Sequence, residues 1–346
     1  MLGGVEAGGT KIICAVGSSP DQILASEAIP TTDPAISFQK VCAFFDKAQA
    51  EHGRLDAIGV AAFGPVDIDP GSPAYGTVLR TPKPGWAGAN WVDGLHRLPC
   101  PVTVDTDVNG AALGEWRLGA GRGHNTLAYV TVGTGIGAGV LRNGRSLSGI
   151  GHFEMGHIYP PHDYESDPFP GRCPFHRDCL EGLASGPAIM DRWGLTLSEM
   201  PAGHPAFALQ AGYLAHLAVT IILTHMPDRI IFGGSVMKAP GLMERLRAAT
   251  RILLAEYLSG GPAGGDLEDY LVPPALGERA GVTGALALAE ARIANPHQGA
   301  RLGLPLAKAL IELHGGSLAI ESRLHVGTSV EVTLPAARRI TARDQA

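Results

Sequence analysis

Twice in this chain a cluster of glycines sits between two β-prone apolar runs. The first unit reads Leu2–Val5, then EAGGTK, then Ile12–Val16; the second reads Thr126–Val132, then GTGIGAG, then a strand beginning at Gly139–Leu141. Glycines between β-prone runs predict a hairpin, and two such units predict two related lobes, each opening strand–turn–strand. Glycine also lets backbone N–H groups reach a phosphate that a side chain would hold away. One such turn is as easily a tight hairpin as a ligand site. Two in matching contexts point to a nucleotide held between lobes, by Gly8, Gly9, Thr10 and Lys11 on one side and Gly133, Thr134 and Gly135 on the other.

The remaining pattern is α/β. A helix is expected over Ile36–Glu51, a buried strand at Ala57–Ala62 delivering the loop FGPVD, and a Pro- and Gly-rich loop over Asp69–Asn90. A short strand at Val102–Asp105 runs into the helical TDVNGAALGEWRLG. After a loop from Ser148 to Cys179, helices are expected at Gly182–Trp193 and Pro205–His225. A strand at Arg229–Phe232 then ends in GGSVM, a helix follows to about Leu258, and GERAGVTGALALAEAR starts a helix ending near Ile293. The expected domains are an N-terminal lobe over 1–112, completed by the helix at about 280–293; a larger C-terminal lobe over 113–279; and a tail over 295–346, set off at Asn295-Pro296. A length of 346 residues suits two domains of ordinary size. The net charge of −6, with no cationic stripe, disfavours a nucleic-acid partner. No apolar run approaches the ~20 residues a membrane helix needs. MLGGVEAGGTK lacks the pattern of a signal peptide, so a cytoplasmic protein with no membrane partner is expected.

Two clusters carry chemistry. His157, Cys173, His176 and Cys179 supply four N/S donors, three of them in C-x-x-H-x-x-C. Such a set closes a tetrahedral Zn²⁺ site and predicts a structural metal pinning the loop. His152 and His162 lie close enough in sequence to compete as ligands, while Cys14, Cys42 and Cys100 are scattered and read as small buried hydrophobes. In DTDVN, Asp107 at a strand end suits a general base and equally suits a helix N-cap. Asp105, two residues earlier, would share its side if the strand continued. Asn90 is a candidate hydrogen-bonding group for a polar ligand, and Trp86 or Trp91 in GWAGANW could stack on a ligand face or simply pack the loop.

The phrases GGVEAGGTK, FGPVD, DTDVNGAALGEW, VTVGTGIGAG, GHFEMGH, CPFHRDCLEGLASGPA and FGGSVM occur in this order. Over residues 1–293 the chain thereby resembles the ROK sugar kinases, most closely their bacterial fructokinase branch. The resemblance implies a two-lobed actin-like, hexokinase-type (ribonuclease H-like) fold with a hinged cleft. It also implies ATP with Mg²⁺, phosphorylation of a hexose and a homodimer. It assigns Asp107 as the base and Glu6 to the place where many relatives carry a metal-linked Asp. Glu154 would accept sugar hydroxyls, with Gly64, Pro65, Asn90 and His157 beside it. Gly186, Pro187, Gly233 and Gly234 would border the nucleotide. Fructose is the favoured sugar; glucose, mannose or an N-acylated amino sugar are the alternatives, and a non-catalytic sugar-responsive regulator is the alternative of another class. That last reading is weakened because no helix-turn-helix precedes the first strand.

The tail has another character. ARLGLPLAKALIELHGGSLAIESRLHVGTSVEVTLP predicts a helix at Leu304–His314 and strands at Ser317–Ser322 and Thr328–Leu334. It resembles the end of a histidine-kinase ATP-binding domain. It lacks that domain's upstream Asn helix and its Asp-x-Gly-x-Gly segment, so no activity is expected from it.

Overall fold

The computed structural model describes residues 1–294, 303–323 and 327–335. The chain divides into a unit spanning Met1–Asn295 and a second spanning Pro296–Ala346. The Asn295-Pro296 junction and the Gly299–Leu302 part of the tail motif lie outside the described residues.

Within the first unit two five-stranded sheets repeat one topology. The first contains β1 (Leu2–Ala7), β2 (Lys11–Ser19), β3 (Gln22–Pro30), β4 (Ala57–Ala62) and β5 (Val102–Thr106), in the order β3-β2-β1-β4-β5. The second contains β6 (Thr126–Val132), β7 (Ile136–Arg142), β8 (Arg145–Ser146), β9 (Arg229–Gly233) and β10 (Leu271–Val272), ordered β8-β7-β6-β9-β10. In each, the first three strands pair antiparallel and the last two add parallel. The strand–glycine–strand repeat in the sequence is thus the start of a duplicated fold.

The helices explain the strand composition. Helix α1 (Pro34–His52) starts where Asp33 accepts the Ala35 N–H, and its Val41, Phe45 and Ala48 join Val5 and Val60 in the first core. The opposite face of that sheet is covered by α8 (Ala280–Ala294), which packs Val282, Leu286 and Ala289 on Leu2 and Ala57. All six residues of β4 are therefore buried, which is why AIGVAA runs apolar without alternation. The four-residue α2 (Trp91–Gly94) closes the loop before β5.

Helices α3 (Asp107–Leu118) and α8 lie side by side where the two lobes meet. Their contact is built from Gly110, Gly114, Gly281 and Gly284: a Cβ on Gly284 would fall on the Gly110 carbonyl oxygen, and one on Gly114 would fall on that of Ala280. The second core lies under α4 (Leu180–Ala184), α5 (Gly186–Trp193), α6 (Pro205–His225) and α7 (Leu242–Leu254).

Several boundaries differ from expectation. The second glycine segment is a turn only over Gly133–Gly135, because β7 already begins at Ile136. The expected helix over Gly182–Trp193 is two helices broken at Ser185, which caps α5 by accepting the Ala188 N–H. Helix α7 stops at Leu254, where Ala255 turns left-handed. Strands β3, β8 and β10 go beyond the expected elements, the first because it is a largely exposed edge and the other two because each is two residues long. One expectation is corrected outright: α6 is long and apolar enough, by length and composition, to cross a membrane. Its Phe207, Leu214, Leu217, Ile221 and Ile222 lie in the second core, which accounts for that composition.

In the second unit, α9 (Gly303–Leu313) precedes a hairpin of β11 (Ser317–Arg323) and β12 (Gly327–Thr333). Leu313, Val330, Val332 and Leu334 are exposed there.

Candidate active site and metal centre

A cavity of about 510 Å³ opens where the strand ends of the two sheets face each other. Its walls come from the first lobe (Glu6, Lys11), from the start of α3 (Asp107, Val108), from β6 and β9 (Tyr129, Thr131, Gly233, Gly234) and from the start of α8 (Gly281). Far along the chain, Met237, Pro273, Pro274 and Gly277 close the other end. The volume suits a cofactor-sized ligand.

Two carboxylates meet in this cavity. Thr106 caps α3 by accepting the Asn109 N–H, so Asp107 is the first helical residue rather than the cap, and its Oδ1 takes the Val108 N–H at 2.8 Å. Burial raises the Asp107 carboxyl to about 6, against the pull of the Val108 N–H and of His152, while Glu154 pushes the same way as burial. Glu6 is raised further, to about 7, first by burial and then by the charge of Asp107, with Lys11 opposing. Its Oε2 is buried without a hydrogen-bond partner. An orphaned buried oxygen beside a second carboxylate is the setting a divalent cation or its water shell would satisfy, so the donor set fits Mg²⁺.

Asp105 does not join them. It is buried and accepts from Ser146 Oγ (2.5 Å), Asn109 Nδ2 (2.7 Å) and the Thr106 N–H (2.7 Å). The strand ends at Thr106, so the two-residue alternation that would have aligned Asp105 with Asp107 is broken by the helix.

Of the expected phosphate and nucleotide residues, Lys11, Gly233 and Gly234 stand in the cavity wall. Gly8, Gly9 and Thr10 form the β1–β2 turn, with Gly9 facing open space and the Gly8 N–H held by the Lys11 carbonyl. Thr134 is exposed at the tip of the β6–β7 turn. That turn is fastened by Glu181, whose Oε2 takes the Ile136 N–H at 2.9 Å, and by the Gly186 N–H, which donates to the Gly133 carbonyl at 2.7 Å. A Cβ on Gly133 would stand 3.6 Å from Ser235 Oγ, next to the cavity-lining Gly234. Pro187 follows as the second residue of α5.

Near Asp107, a second group gathers. The Gly64-Pro65 peptide is cis, and the next N–H, of Val66, donates to His152 Nε2 at 3.1 Å. A Cβ on Gly64 would stand 3.2 Å from the His152 ring and 3.8 Å from Glu154 Oε1. Glu154 remains about half exposed. Asn90 is spent elsewhere: its amide donates to the Tyr75 carbonyl and Thr77 Oγ1, and its Oδ1 caps α2 by accepting the Asp93 N–H. Trp86 and Trp91 are fully buried and stacked at 5.5 Å, with Phe38 edge-on to both. They are first-lobe core and present no face to a ligand.

The metal donors do converge. One ligand atom from each of His157, Cys173, His176 and Cys179 lies within 4.8 Å of all the others. His157 Nδ1 is 3.4 Å from Cys179 Sγ and 3.9 Å from Cys173 Sγ, and His176 Nδ1 is 3.7 Å from Cys173 Sγ. A tetrahedral metal with Zn–S of ~2.3 Å and Zn–N of ~2.05 Å separates N from S by about 3.6 Å, so these spacings fit a tetrahedral donor set that could hold a metal ion. The knuckle closes because Cys173 and Arg177 exchange both backbone hydrogen bonds, with Arg177 at φ 58°. His162 is excluded: it lies between the Asp167 carbonyl and Asp178, in a buried knot where Asp167 takes two bonds from Arg192 and one from Tyr213.

Sequence reasoning missed Tyr129, Thr131, Met237, Lys238, Pro273, Pro274, Gly277 and Glu278 in the cavity. The available signal was the pair of prolines just after a strand end and before GERAG.

The ROK family profile matches residues 2–292. Over 293 residues the chain is 43% identical to a fructokinase from Zymomonas mobilis, covering 84% of this chain and 96% of that one. Over 294 residues it is 40% identical to a fructokinase from Streptococcus mutans, covering 84% and 97%. Among solved structures, the ROK hexokinase from Thermus thermophilus superposes with a TM-score of 0.70 at 28% identity, over 85% of this chain and 99% of that one.

Proposed function

The chain belongs to the ROK family, and on that premise we propose that it is an ATP-dependent fructokinase converting D-fructose and ATP to D-fructose 6-phosphate and ADP. The observation carrying this reading is the two-carboxylate cavity between duplicated lobes, in a chain 43% identical to a fructokinase over 84% of its length.

In the proposed mechanism ATP enters the cavity with its base toward Met237, Pro273, Pro274 and Gly277 and its ribose against Gly233 and Gly234. Its phosphates run toward Lys11 and the turns at Gly8–Thr10 and Gly133–Gly135, near Gly186 and Pro187. The sugar would lie beyond Asp107, outside the lining of that cavity, against Gly64, Pro65 and Glu154, with His157 bordering it through the metal knuckle. The 6-hydroxyl oxygen attacks the γ-phosphorus, its proton passes to Asp107, and the bond to the β-phosphate oxygen breaks to release ADP. Phosphoryl transfer asks the protein chiefly for position and charge compensation, and a base with a pKa near 6 is ionised yet still proton-accepting at neutral pH. Glu6, with its unpartnered buried oxygen, would hold Mg²⁺ or its water shell, and the metal would supply charge neutralisation for the phosphates. His157, Cys173, His176 and Cys179 would hold Zn²⁺ with no open position, giving it a structural role. A homodimer in the cytoplasm completes the reading.

An ADP-release assay over fructose, glucose, mannose and N-acylated amino sugars, with and without Mg²⁺, tests it. Mg²⁺-dependent turnover highest on fructose is expected. A preference for another hexose would move the assignment to that sugar, and no ADP from any hexose would favour the regulator alternative.

A further inference from the structure

His152 was a bystander in the sequence, one of two histidines beside the metal ligands. In the structure it bridges the two lobes. Its neighbours Phe153 and Met155 belong to the second core, while Val66, whose N–H it accepts, belongs to the first. The acceptor is Nε2, so that nitrogen carries a lone pair and the ring proton sits on Nδ1. Nδ1 faces the Phe153 carbonyl at 3.3 Å and Glu154 Oε1 at 3.6 Å. Among the described residues the Glu154 carboxylate has no other polar partner. The ring is almost fully enclosed, at 9% exposure, whereas Glu154 is 47% exposed. Gly64 makes the approach possible, since its missing side chain leaves room for the ring edge.

We propose that His152 is a positioning residue for the sugar: by accepting the Val66 N–H it ties the Gly64–Val66 loop of one lobe to the other, and with its Nδ1 edge held at the Phe153 carbonyl and beside the Glu154 carboxylate it keeps Glu154 next to that loop, facing the sugar hydroxyls. The proposal deepens the fructokinase reading and rests on it. A second contact works in the same direction, because Arg80 of the first lobe lies over the ring of Phe175, between two metal ligands, at 5.1 Å. The sugar end is therefore held across the cleft at two points, and only His152 also faces the carboxylate. A ring that holds a backbone N–H through one nitrogen and stands 3.6 Å from a carboxylate at the other sets the spacing between loop and carboxylate, on which the fit of a given hydroxyl pattern depends.

Three variants test this: His152→Ala, His152→Gln, whose amide can still accept the Val66 N–H, and Gly64→Ala, which crowds the ring without altering it. Fructose binding is measured by calorimetry without nucleotide, alongside KM for both substrates, metal content and melting. His152→Ala should weaken fructose binding about tenfold or more, the size of a lost buried hydrogen bond to a polar ligand site, while KM for ATP and metal content stay as in the parent. His152→Gln should recover most of the loss. Gly64→Ala should lose affinity in the same direction, and the double variant His152→Ala/Gly64→Ala should be no worse than His152→Ala alone, since both act through one contact. Fructose affinity unchanged in His152→Ala, or losses in Gly64→Ala that simply add to it, would overturn the role. If His152→Ala does not fold, the Gly64→Ala and His152→Gln affinities decide it. A parent protein that binds no hexose would sink the fructokinase reading itself, a result distinct from a parent that binds and a variant that binds equally.

Discussion

Asp107 and Glu6 show what one buried residue costs and returns. Both carboxyls are pushed up by burial, Asp107 to about 6 and Glu6 to about 7, with the Asp107 charge adding to the rise at Glu6 and Glu154 adding to that at Asp107. A raised carboxyl contributes stability that is complete at pH values below its unfolded pKa of ~4 and is lost as pH rises through the folded value. At pH 8 both therefore destabilise the fold, while at pH 4 neither does. Activity runs the other way, since a base must be ionised to accept the hydroxyl proton. Asp107→Asn is thus expected to lower kcat by ~10²–10⁴-fold. The same variant should melt higher than the parent at pH 8, by an amount worth about 1–3 kcal/mol, with the advantage vanishing near pH 4. In the parent, kcat/KM should fall as pH drops through about 6. Pairing pH–rate profiles with melting curves for both proteins checks this, and near-parental kcat in the variant would remove Asp107 from the role.

Element by element, the sequence carried those features that a local pattern can encode. The four metal donors stand within one loop and its preceding turn, so spacing alone points to their convergence. What spacing does not encode is which histidines are left out: His152 and His162 are excluded by partners 86 and 5 residues away, Val66 and Asp167. The Trp pair misleads for a similar reason, because a Gly-rich segment resembles a binding loop until Phe38, from a distant helix, closes over both rings. The far wall of the cavity is the least legible part, since β9, β10 and the start of α8 meet there only after the sheet forms. For the metal loop the expectation is specific. Long stretches from Tyr159 to Asp178 lack regular structure, so their order depends on the knuckle and on the Asp167–Arg192–Tyr213 knot. Removing the metal with a chelator should lower the melting temperature and open this segment to protease. It should also raise KM for the sugar ten- to a hundredfold, roughly the effect of misplacing a binding group by about 1 Å, with KM for ATP less affected. Purified protein should carry one zinc per chain by mass spectrometry, and its absence would refute the zinc assignment.

At the scale of the molecule, a single topology used twice accounts for the cleft. Each sheet brings its strand ends and first glycine turn toward the other, and α3 and α8 meet between them through Gly110, Gly114, Gly281 and Gly284. Bare backbone at that crossing lets the helices approach closely while leaving no bulky side chain to lock one angle, which suits a hinge whose closure excludes water from the transferring phosphoryl group. Every part of that device lies within Met1–Asn295, and the family match ends at residue 292. The second unit pairs one helix with a two-stranded hairpin and leaves Leu313, Val330, Val332 and Leu334 exposed. So small an assembly buries too little apolar surface to be stable by itself. Chain truncated after Asn295 is therefore expected to keep the parental kcat, both KM values and the main melting transition, and to gain solubility from the loss of those apolar side chains. Kinetics, calorimetry and the concentration dependence of light scattering on both forms make the comparison. A fall in kcat or in the main transition after truncation would show that the tail supports the kinase unit, and a measurable ATPase from a tail-only chain would show that it has chemistry of its own.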